Sequence, residues 1–223
     1  MAIAPSADTT RVRIWDAPTR VVHWLMVILI AVSWWTAENG NLEFHRYSGY
    51  ALLGLLLFRL YWGFVGSSSA RFSHFVKGPK SIVRYVRGES AESLGHNPLG
   101  ALSVVALLLL LLAQVSLGLF AVDVDGLESG PLSHLVSFEA GRACAEWHDT
   151  IFDVLVWVIG LHIAAVLFYV LFKKHNLITA MLHGYREYPE RPASTVKFAS
   201  AARVLIGAAA AAALAWWIAR GFE

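Results

Sequence analysis

Five blocks of apolar residues, each roughly 17 to 25 residues long, constrain the fold of this chain more than any other feature. They cover Val21–Ala37, Tyr47–Val65, Leu99–Val122, Ile151–Phe172 and Ala201–Ala219. At about 1.5 Å per residue, helices formed by the first four would be about 25 to 36 Å long, enough to cross a hydrocarbon core of about 30 Å. With 57% hydrophobic and 15% charged residues, the chain is predicted to be an all-α, polytopic membrane four-helix bundle.

The fifth block, Ala201–Ala219, is weaker and rich in alanine. Its run of small residues at 207–213 predicts close packing against another helix, and its two tryptophans suit the aromatic belt at a membrane interface. A tail that lies on the surface or binds a partner is the alternative. We therefore divide the chain into a four-helix membrane domain at 1–190 and a C-terminal extension at 191–223 that carries a fifth transmembrane helix.

Lysine and arginine are unevenly distributed among the segments that flank the blocks. Basic residues concentrate before the first block, in the segment 66–98 and after the fourth block. The connections 38–46 and 123–149 contain few of them, and the second is acidic. Because basic loops stay on the cytoplasmic side, we predict a bacterial inner-membrane protein with a cytoplasmic N-terminus and with these two connections in the periplasm. The first block lacks a signal-peptide cleavage site, so we interpret it as a retained helix.

Within the basic segment 66–98, the stretch Ser81–Gly88 places apolar residues between arginines. This pattern predicts a short amphipathic helix that lies at the cytoplasmic membrane interface. No repeat or low-complexity segment indicates a second, soluble domain.

Cys144, which falls in the predicted loop 123–149, is the only cysteine. A single cysteine excludes an internal disulfide framework, a cysteine-rich zinc or iron–sulfur site and the CxxCH sequence that attaches c-type haem covalently. A metal in this protein must therefore be held mainly by histidine, of which the chain has nine. The net charge of +2 is too small and too scattered to indicate a nucleic-acid partner.

Four histidines lie inside or at the ends of apolar blocks, where a polar side chain is costly unless it has a partner. They are His23 in the first turn of the first helix, His45 at the start of the second, and His148 and His162 at the start of and within the fourth. The predicted orientation places His23 near the cytoplasmic face and His45 near the periplasmic face, level with His148.

The number of residues between His148 and His162 gives the distance between the two depths, because both histidines lie on the same predicted helix. Fourteen residues correspond to about 21 Å of helix and to about 40° less than four full turns, so both rings lie on nearly the same face. The four histidines then form two pairs at two depths, His23 with His162 and His45 with His148. Each pair suits a haem held by one nitrogen above and one below the ring. The domain at 1–190 is therefore predicted to hold two non-covalent b-type haems.

Other metal centres agree less well with this arrangement. Structural zinc takes four ligands in one cluster, and a di-iron carboxylate bundle needs a Glu-x-x-His sequence that is absent. Two opposite imidazoles leave iron without an open position, which favours electron transfer over oxygen activation. The alternative is that histidines near helix ends are ordinary polar residues of the interface.

The remaining five histidines fall in predicted loops, where ordinary polar roles are favoured over haem ligation. They are His74, His96, His134, His175 and His183. Two of those on the cytoplasmic side, His96 and His183, are candidates for a proton-handling role at a quinone site.

Two arginines lie at cytoplasmic depth close to the predicted haem of His23 and His162. Arg59 follows His45 by 14 residues, and Arg20 precedes His23 by three. Either could pair with a haem propionate, for which the forked guanidinium is well suited, or extend to the membrane interface.

A few further residues inside the blocks invite two interpretations. Gly49, Gly54 and Gly118 allow a haem face or a neighbouring helix to approach closely, or are simply glycines of the kind common in membrane helices. Gln114 is predicted to form a hydrogen bond between helices rather than to bind a metal.

Several short sequence fragments occur in an order and with a spacing that together are fairly specific for one protein family. They are WDAPTRVVHW, HRYSGY with FRLYWGFVG, GHNPLG, WHD with GLH 14 positions after its histidine, and MLHGYRE. From about Val12 to Glu187, the chain resembles the bacterial cytochrome b561 family, which includes the b-type cytochrome subunits of membrane-bound nickel–iron hydrogenases. The resemblance implies that the four paired histidines bind two b-type haems in a four-helix bundle. It also implies electron transfer between a periplasmic redox partner and membrane quinone.

The expected function is therefore that of a di-haem b-type cytochrome, the electron-transfer subunit of a quinone-linked oxidoreductase. Its short first connection and its fifth block depart from the hydrogenase subunits, so a c-type cytochrome or another dehydrogenase is as compatible a partner as a hydrogenase. One alternative is a stand-alone quinone oxidoreductase that uses a small reductant such as superoxide. Another is a haem-free transporter in which the histidines relay protons.

Overall fold

The computed structural model of this chain describes residues 10–89, 95–188, 192 and 195–222. The described residues form eight α-helices: α1 Ala17–Glu38, α2 Leu42–Val65, α3 Phe72–Phe75, α4 Pro79–Val86, α5 Pro98–Phe120, α6 Phe138–Leu171, α7 Leu177–His183 and α8 Ala201–Ala219. They also form two short strands, β1 Thr10–Arg13 and β2 Tyr185–Tyr188, and a 3-10 turn at Ser133–Leu135. Five helices, α1, α2, α5, α6 and α8, are long and apolar enough to cross a membrane. The predicted helical membrane fold is confirmed.

The long helices begin at side chains that accept hydrogen bonds from otherwise unpaired backbone N–H groups. Asp16 caps α1 by accepting from Thr19 N at 2.8 Å. Asn97 caps α5 by accepting from Gly100 N at 2.7 Å, and Pro98 follows it at the first helical position. The GHNPLG fragment is therefore a helix start.

The start of α6 differs from the prediction. The segment 123–149 was expected to be a loop, but Ser137 accepts a hydrogen bond from Ala140 N and α6 begins at Phe138, ten residues before His148. Cys144 consequently lies on a helix, where it is half-buried. The first turns of α6 are polar, so apolar periodicity alone does not reveal them. At 34 residues, α6 is about 50 Å long.

The helix α2 occupies the centre of the bundle and packs against α1, α5 and α8. In the most apolar 18-residue stretch of α2, 44% of the residues are buried, against 17% or less in the corresponding stretches of the other four candidate spans. Trp62 and Leu56, both 1% exposed, form the middle of the main core together with Leu155 of α6. The elements that flank the core are thus organised around one helix.

The C-terminal helix α8 packs directly against α2. Gly54 of α2 lies opposite Ala215, whose Cβ is 3.6 Å from the position that a Gly54 Cβ would occupy. Gly207 lies so close to the Tyr61 ring that no side chain would fit there without a shift. The small residues of the fifth block therefore allow the close helix packing that the sequence predicts.

Two smaller structural features lie around the bundle. Strands β1 and β2 pair antiparallel, with Thr10 opposite Tyr188, and the sequence did not indicate them. The predicted amphipathic helix is present as α4, two residues earlier than expected. The hydroxyl groups of Tyr85 on α4 and Tyr169 on α6 are 2.6 Å apart, so a hydrogen bond attaches α4 to the bundle.

Candidate functional site

His45 of α2 and His148 of α6 face each other, with ring centroids 6.0 Å apart and ring planes at 84°. The His45 Nδ1 lies 2.9 Å from the Ser33 carbonyl oxygen, and the His148 Nδ1 lies 2.8 Å from the Gln114 carbonyl oxygen. A carbonyl oxygen only accepts, so in both rings Nδ1 carries a hydrogen, and Nε2 is the nitrogen left to bind a metal. The two carbonyls therefore orient both rings as metal ligands.

The spacing of these two rings fits a single metal ion between them. An imidazole nitrogen binds a first-row transition metal at about 2 Å, so two nitrogens on opposite sides are about 4 Å apart and their ring centres about 6 Å apart. The observed 6.0 Å agrees with that value.

A cavity of about 410 Å³ surrounds this pair. Residues of α1, α2, α5 and α6 line it, as does the segment 121–131 that connects α5 to α6. Gly49 lines the cavity and has open space where a Cβ would be, whereas a Cβ on Gly118 would lie 2.9 Å from His148 Cε1. Gly49 leaves room for a ligand and Gly118 leaves room for the ligating ring. Gly54, in contrast, serves helix packing.

His23 and His162 form the second grouping, on α1 and α6. The two rings are close enough for their charges to interact. The His162 Nδ1 lies 3.1 Å from the Ser103 hydroxyl, whereas the buried His23 Nδ1 has no hydrogen-bond partner among the described residues. His45 thus faces His148, and His23 lies within electrostatic range of His162, but the hydrogen-bond acceptors differ between the two groupings.

His96 lies beside this second pair, in the connection just before α5. Its ring contacts Trp15 and Phe75, each with centroids 4.6 Å away. Burial, followed by the charges of Arg59, His162 and His23, lowers the pKa of His96 from 6.5 to about 3. His96 is therefore neutral at physiological pH. His183, the other quinone-site candidate, is the last residue of α7 and has an exposed side chain.

Arg59 is only 7% exposed, although it lies on a membrane-spanning helix. Its guanidinium stacks over the Phe72 ring at 5.1 Å and is near enough to Asp16 and His96 to interact with both electrostatically. Its buried Nη1 has no hydrogen-bond partner in the described part of the chain. A buried guanidinium of this kind faces the interior of the bundle instead of extending to the interface, and it is suited to bind an anionic group.

Arg20 is attached to a different element. Its Nη1 donates a hydrogen bond to the Leu182 carbonyl at the end of α7. Its Nε is buried and lacks a partner among the described residues. Trp24 donates to the neighbouring Met181 carbonyl at 3.4 Å. Arg20 therefore joins α7 to α1 and retains one free donor.

Several site residues were not found from the sequence. Ser33 and Gln114 act through backbone carbonyls, which no residue pattern reveals. The hydrogen bond between α5 and α6 at Gln114 is made by this carbonyl and not by the side chain for which it was predicted. The Gln114 side-chain oxygen is buried and lacks a hydrogen-bond partner in the described residues. Asp16 accepts from Trp62 Nε1 at 2.9 Å and so joins the start of α1 to the end of α2. In the sequence, only the position of Asp16 just before a helix start that contains proline indicated that it caps α1.

Apolar helices and a facing pair of histidines, each oriented by a backbone carbonyl, define a helical membrane protein whose bundle is suited to bind haem. A family model described as prokaryotic cytochrome b561 matches residues 14–184. The chain belongs to the prokaryotic cytochrome b561 family. It is therefore a multi-pass bacterial membrane cytochrome b that carries b-type haem and takes part in electron transfer.

Curated relatives point to the same group of proteins. A probable Ni/Fe-hydrogenase B-type cytochrome subunit of Azotobacter chroococcum mcd 1 is 24% identical over 217 residues, covering 81% of this chain and 90% of the relative. A probable Ni/Fe-hydrogenase 1 B-type cytochrome subunit of Escherichia coli (strain K12) is 23% identical over 216 residues, covering 78% and 90% respectively. No solved structure matches the chain.

Proposed function

We propose that this protein holds two b-type haems and passes electrons between a periplasmic redox protein and membrane quinone. His45 and His148 would ligate the haem near the periplasmic face, and His23 and His162 the haem near the cytoplasmic face. The observation that carries the proposal is the facing pair His45 and His148, each held by its Nδ1 on a backbone carbonyl, across a cavity lined by four membrane helices.

Haem bound by His45 and His148 or by His23 and His162 would supply one-electron redox chemistry. The protein's own contribution is to fix the ligands. The Ser33 and Gln114 carbonyls select the tautomer of His45 and His148, hold each ring in place and raise the basicity of its Nε2. At the other end, Arg59 would bind a propionate through its unpartnered Nη1, and Arg20 would offer its Nε.

The orientation follows from the charges of the connections. The basic segments lie at the end of the bundle that holds His23, so we place this end in the cytoplasm and the His45 end in the periplasm of the inner membrane. Quinone would then exchange electrons on the cytoplasmic side. His96 is the better candidate for that site, because it lies beside Arg59 and the second histidine pair whereas His183 is exposed.

The partner is proposed to be a redox protein of the periplasm. The names of the curated relatives make a Ni/Fe-hydrogenase one candidate, and a c-type cytochrome or another dehydrogenase is equally compatible. Co-purification from native membranes under mild detergent distinguishes these candidates from a stand-alone quinone oxidoreductase.

The haem assignment is tested with pyridine haemochrome and redox spectra of the purified protein. Wild type is expected to contain two low-spin b-type haems. His45→Ala and His148→Ala should each remove the same haem, whereas His23→Ala and His162→Ala should each remove the other. Loss of the same haem in His148→Ala and His23→Ala would show that the pairing is wrong, and absence of haem from wild type would exclude the proposed function.

A further inference from the structure

The connection between α5 and α6 forms an ordered hairpin above the His45 and His148 cavity. Val122 and Ser129 form an antiparallel bridge, and Asp123 N donates to the Glu128 carbonyl at 3.0 Å. An ion pair joins Glu128 to Arg46, the residue next to His45. The hairpin 122–129 is thus attached to the helix that supplies one histidine of the pair.

The tip of this hairpin and the adjoining start of α6 expose three apolar side chains. Val124 is 72% exposed, Leu127 84% and Phe138, at the start of α6, 53%. The position of a Gly126 Cβ lies 3.6 Å from the Phe138 ring, so the hairpin tip and the start of α6 form one surface. We call Val124, Leu127 and Phe138 the tip patch. An exposed apolar surface on an ordered loop marks a contact site.

The length of α6 places this patch outside the lipid. Phe138 is 33 residues before Leu171, or about 50 Å along the helix, whereas a bilayer with its headgroups is about 40 to 45 Å thick. The basic residues Lys173 and Lys174 follow the other end of α6 and hold it at the cytoplasmic interface. The tip patch therefore faces the aqueous phase, where a protein covers it better than lipid does.

The surroundings of the patch are acidic. The connections 38–46 and 123–149 contain eight carboxylates but only the two arginines Arg46 and Arg142. Arg46 is paired with Glu128, and Arg142 donates to the Val122 carbonyl at 2.8 Å. Asp125 and Glu139 are exposed beside the patch. An apolar centre with an acidic rim is complementary to an apolar centre with a basic rim.

We propose that the tip patch and its acidic rim are the docking surface for a periplasmic redox protein that presents lysines or arginines around an apolar contact. This inference rests on the proposed function and adds the place and the charge of the partner's contact. The segment 121–131 lines the same cavity as His45 and His148, so a protein docked on the tip patch lies directly above the periplasmic haem site. One electron would then pass between the partner's redox centre and the haem at His45 and His148, one of which is oxidised as the other is reduced, and no proton is transferred.

The experiment uses the reduced holoprotein in nanodiscs and stopped-flow mixing with two probes. One is a lysine-rich soluble ferric cytochrome c, and the other is the same cytochrome after succinylation of its lysines, which reverses their charge. At low ionic strength, the basic probe is expected to oxidise the b-type haem at least about tenfold faster, and added salt should remove the difference. Equal rates with both probes would overturn the proposal.

Two variants locate the effect on the patch. Leu127→Ser and Glu139→Gln should each lower the rate constant for the basic probe by about threefold to tenfold. The matched controls Ile178→Ser on α7 and Glu187→Gln on β2 lie at the opposite end and should retain the wild-type rate. Identical rates in the patch variants and the controls would contradict the assignment.

A label distinguishes a protein contact from a membrane contact. Leu127→Cys in a Cys144→Ser background, carrying a polarity-sensitive dye, should not be quenched by nitroxide lipids in nanodiscs, and strong quenching would overturn the proposal. Haem spectra and potentials of every sample separate the two levels of inference. If the haems are intact but neither the choice of probe nor the variants change the rate, only the docking surface is contradicted. If the protein contains no haem, the proposed function is contradicted as well.

Discussion

The two histidine pairs lie in the same bundle but are held by different means. His45 and His148 both bind backbone carbonyls, whereas His162 binds the Ser103 hydroxyl and the buried His23 Nδ1 has no partner in the described residues. A backbone acceptor survives every substitution of its own side chain, but a serine hydroxyl is lost with a single change. The pair that we propose to be periplasmic, His45 and His148, is therefore determined by the fold, and the pair that we propose to be cytoplasmic, His23 and His162, is more open to tuning by side chains.

The largest expected effect would break the periplasmic pair alone. In Gly118→Ala, the new Cβ would lie 2.9 Å from His148 Cε1 and displace the ring. We expect loss of about half of the bound haem, because the second pair is untouched. Gly160→Ala on α6, where nothing lies within 4 Å of the new Cβ, is the matched control. The haem-to-protein ratio from pyridine haemochrome measures the outcome, and an unchanged ratio would show that ring placement does not depend on Gly118.

A smaller effect is expected at the cytoplasmic pair from Arg59→Gln. Removal of a buried positive charge disfavours the ferrous state, so the potential of this haem should fall by tens of millivolts. The periplasmic haem should change less, since the charge is farther away. Arg59→Lys keeps the charge and should restore most of the potential. Spectroelectrochemical titration checks this, and equal shifts at both haems would argue against a local role for Arg59.

The smallest expected effect compares the two kinds of hydrogen-bond acceptor, the Ser103 hydroxyl at His162 and the Ser33 carbonyl at His45. Ser103→Ala removes the only hydrogen bond found for the His162 ring in the described residues, so the cytoplasmic haem should dissociate up to about tenfold more readily. Ser33→Ala leaves the carbonyl that holds His45 in place and should retain its haem. Haem transfer to apomyoglobin measures both off-rates, and a larger effect of Ser33→Ala would reverse the comparison.

A prediction of two histidine pairs is possible from the sequence because one helix connects two depths. His148 and His162 share α6, and their spacing defines both the distance and the face. The start of α6 could not be predicted in the same way, since its first turns carry Glu139 and Glu146 where an apolar pattern would be expected. The helix forms there because Ser137 caps it.

Contacts between distant segments were also beyond prediction. The pairing of β1 with β2 joins Thr10 to Tyr188, and neither four-residue strand is long enough to be recognised by alternation. The carbonyls of Ser33 and Gln114 carry no residue-specific signal, and only the placement of four helices, α1, α2, α5 and α6, identifies them as acceptors. The burial of Arg59 depends likewise on α3, which covers it with Phe72.

The packing of α8 on α2 has a consequence for biogenesis. α8 follows all the histidine-bearing helices in the chain, so the face of α2 around Gly54 and Tyr61 meets lipid during synthesis until α8 has entered the membrane. His23, His45, His148 and His162 are thus all synthesised before the helix that covers this face of α2.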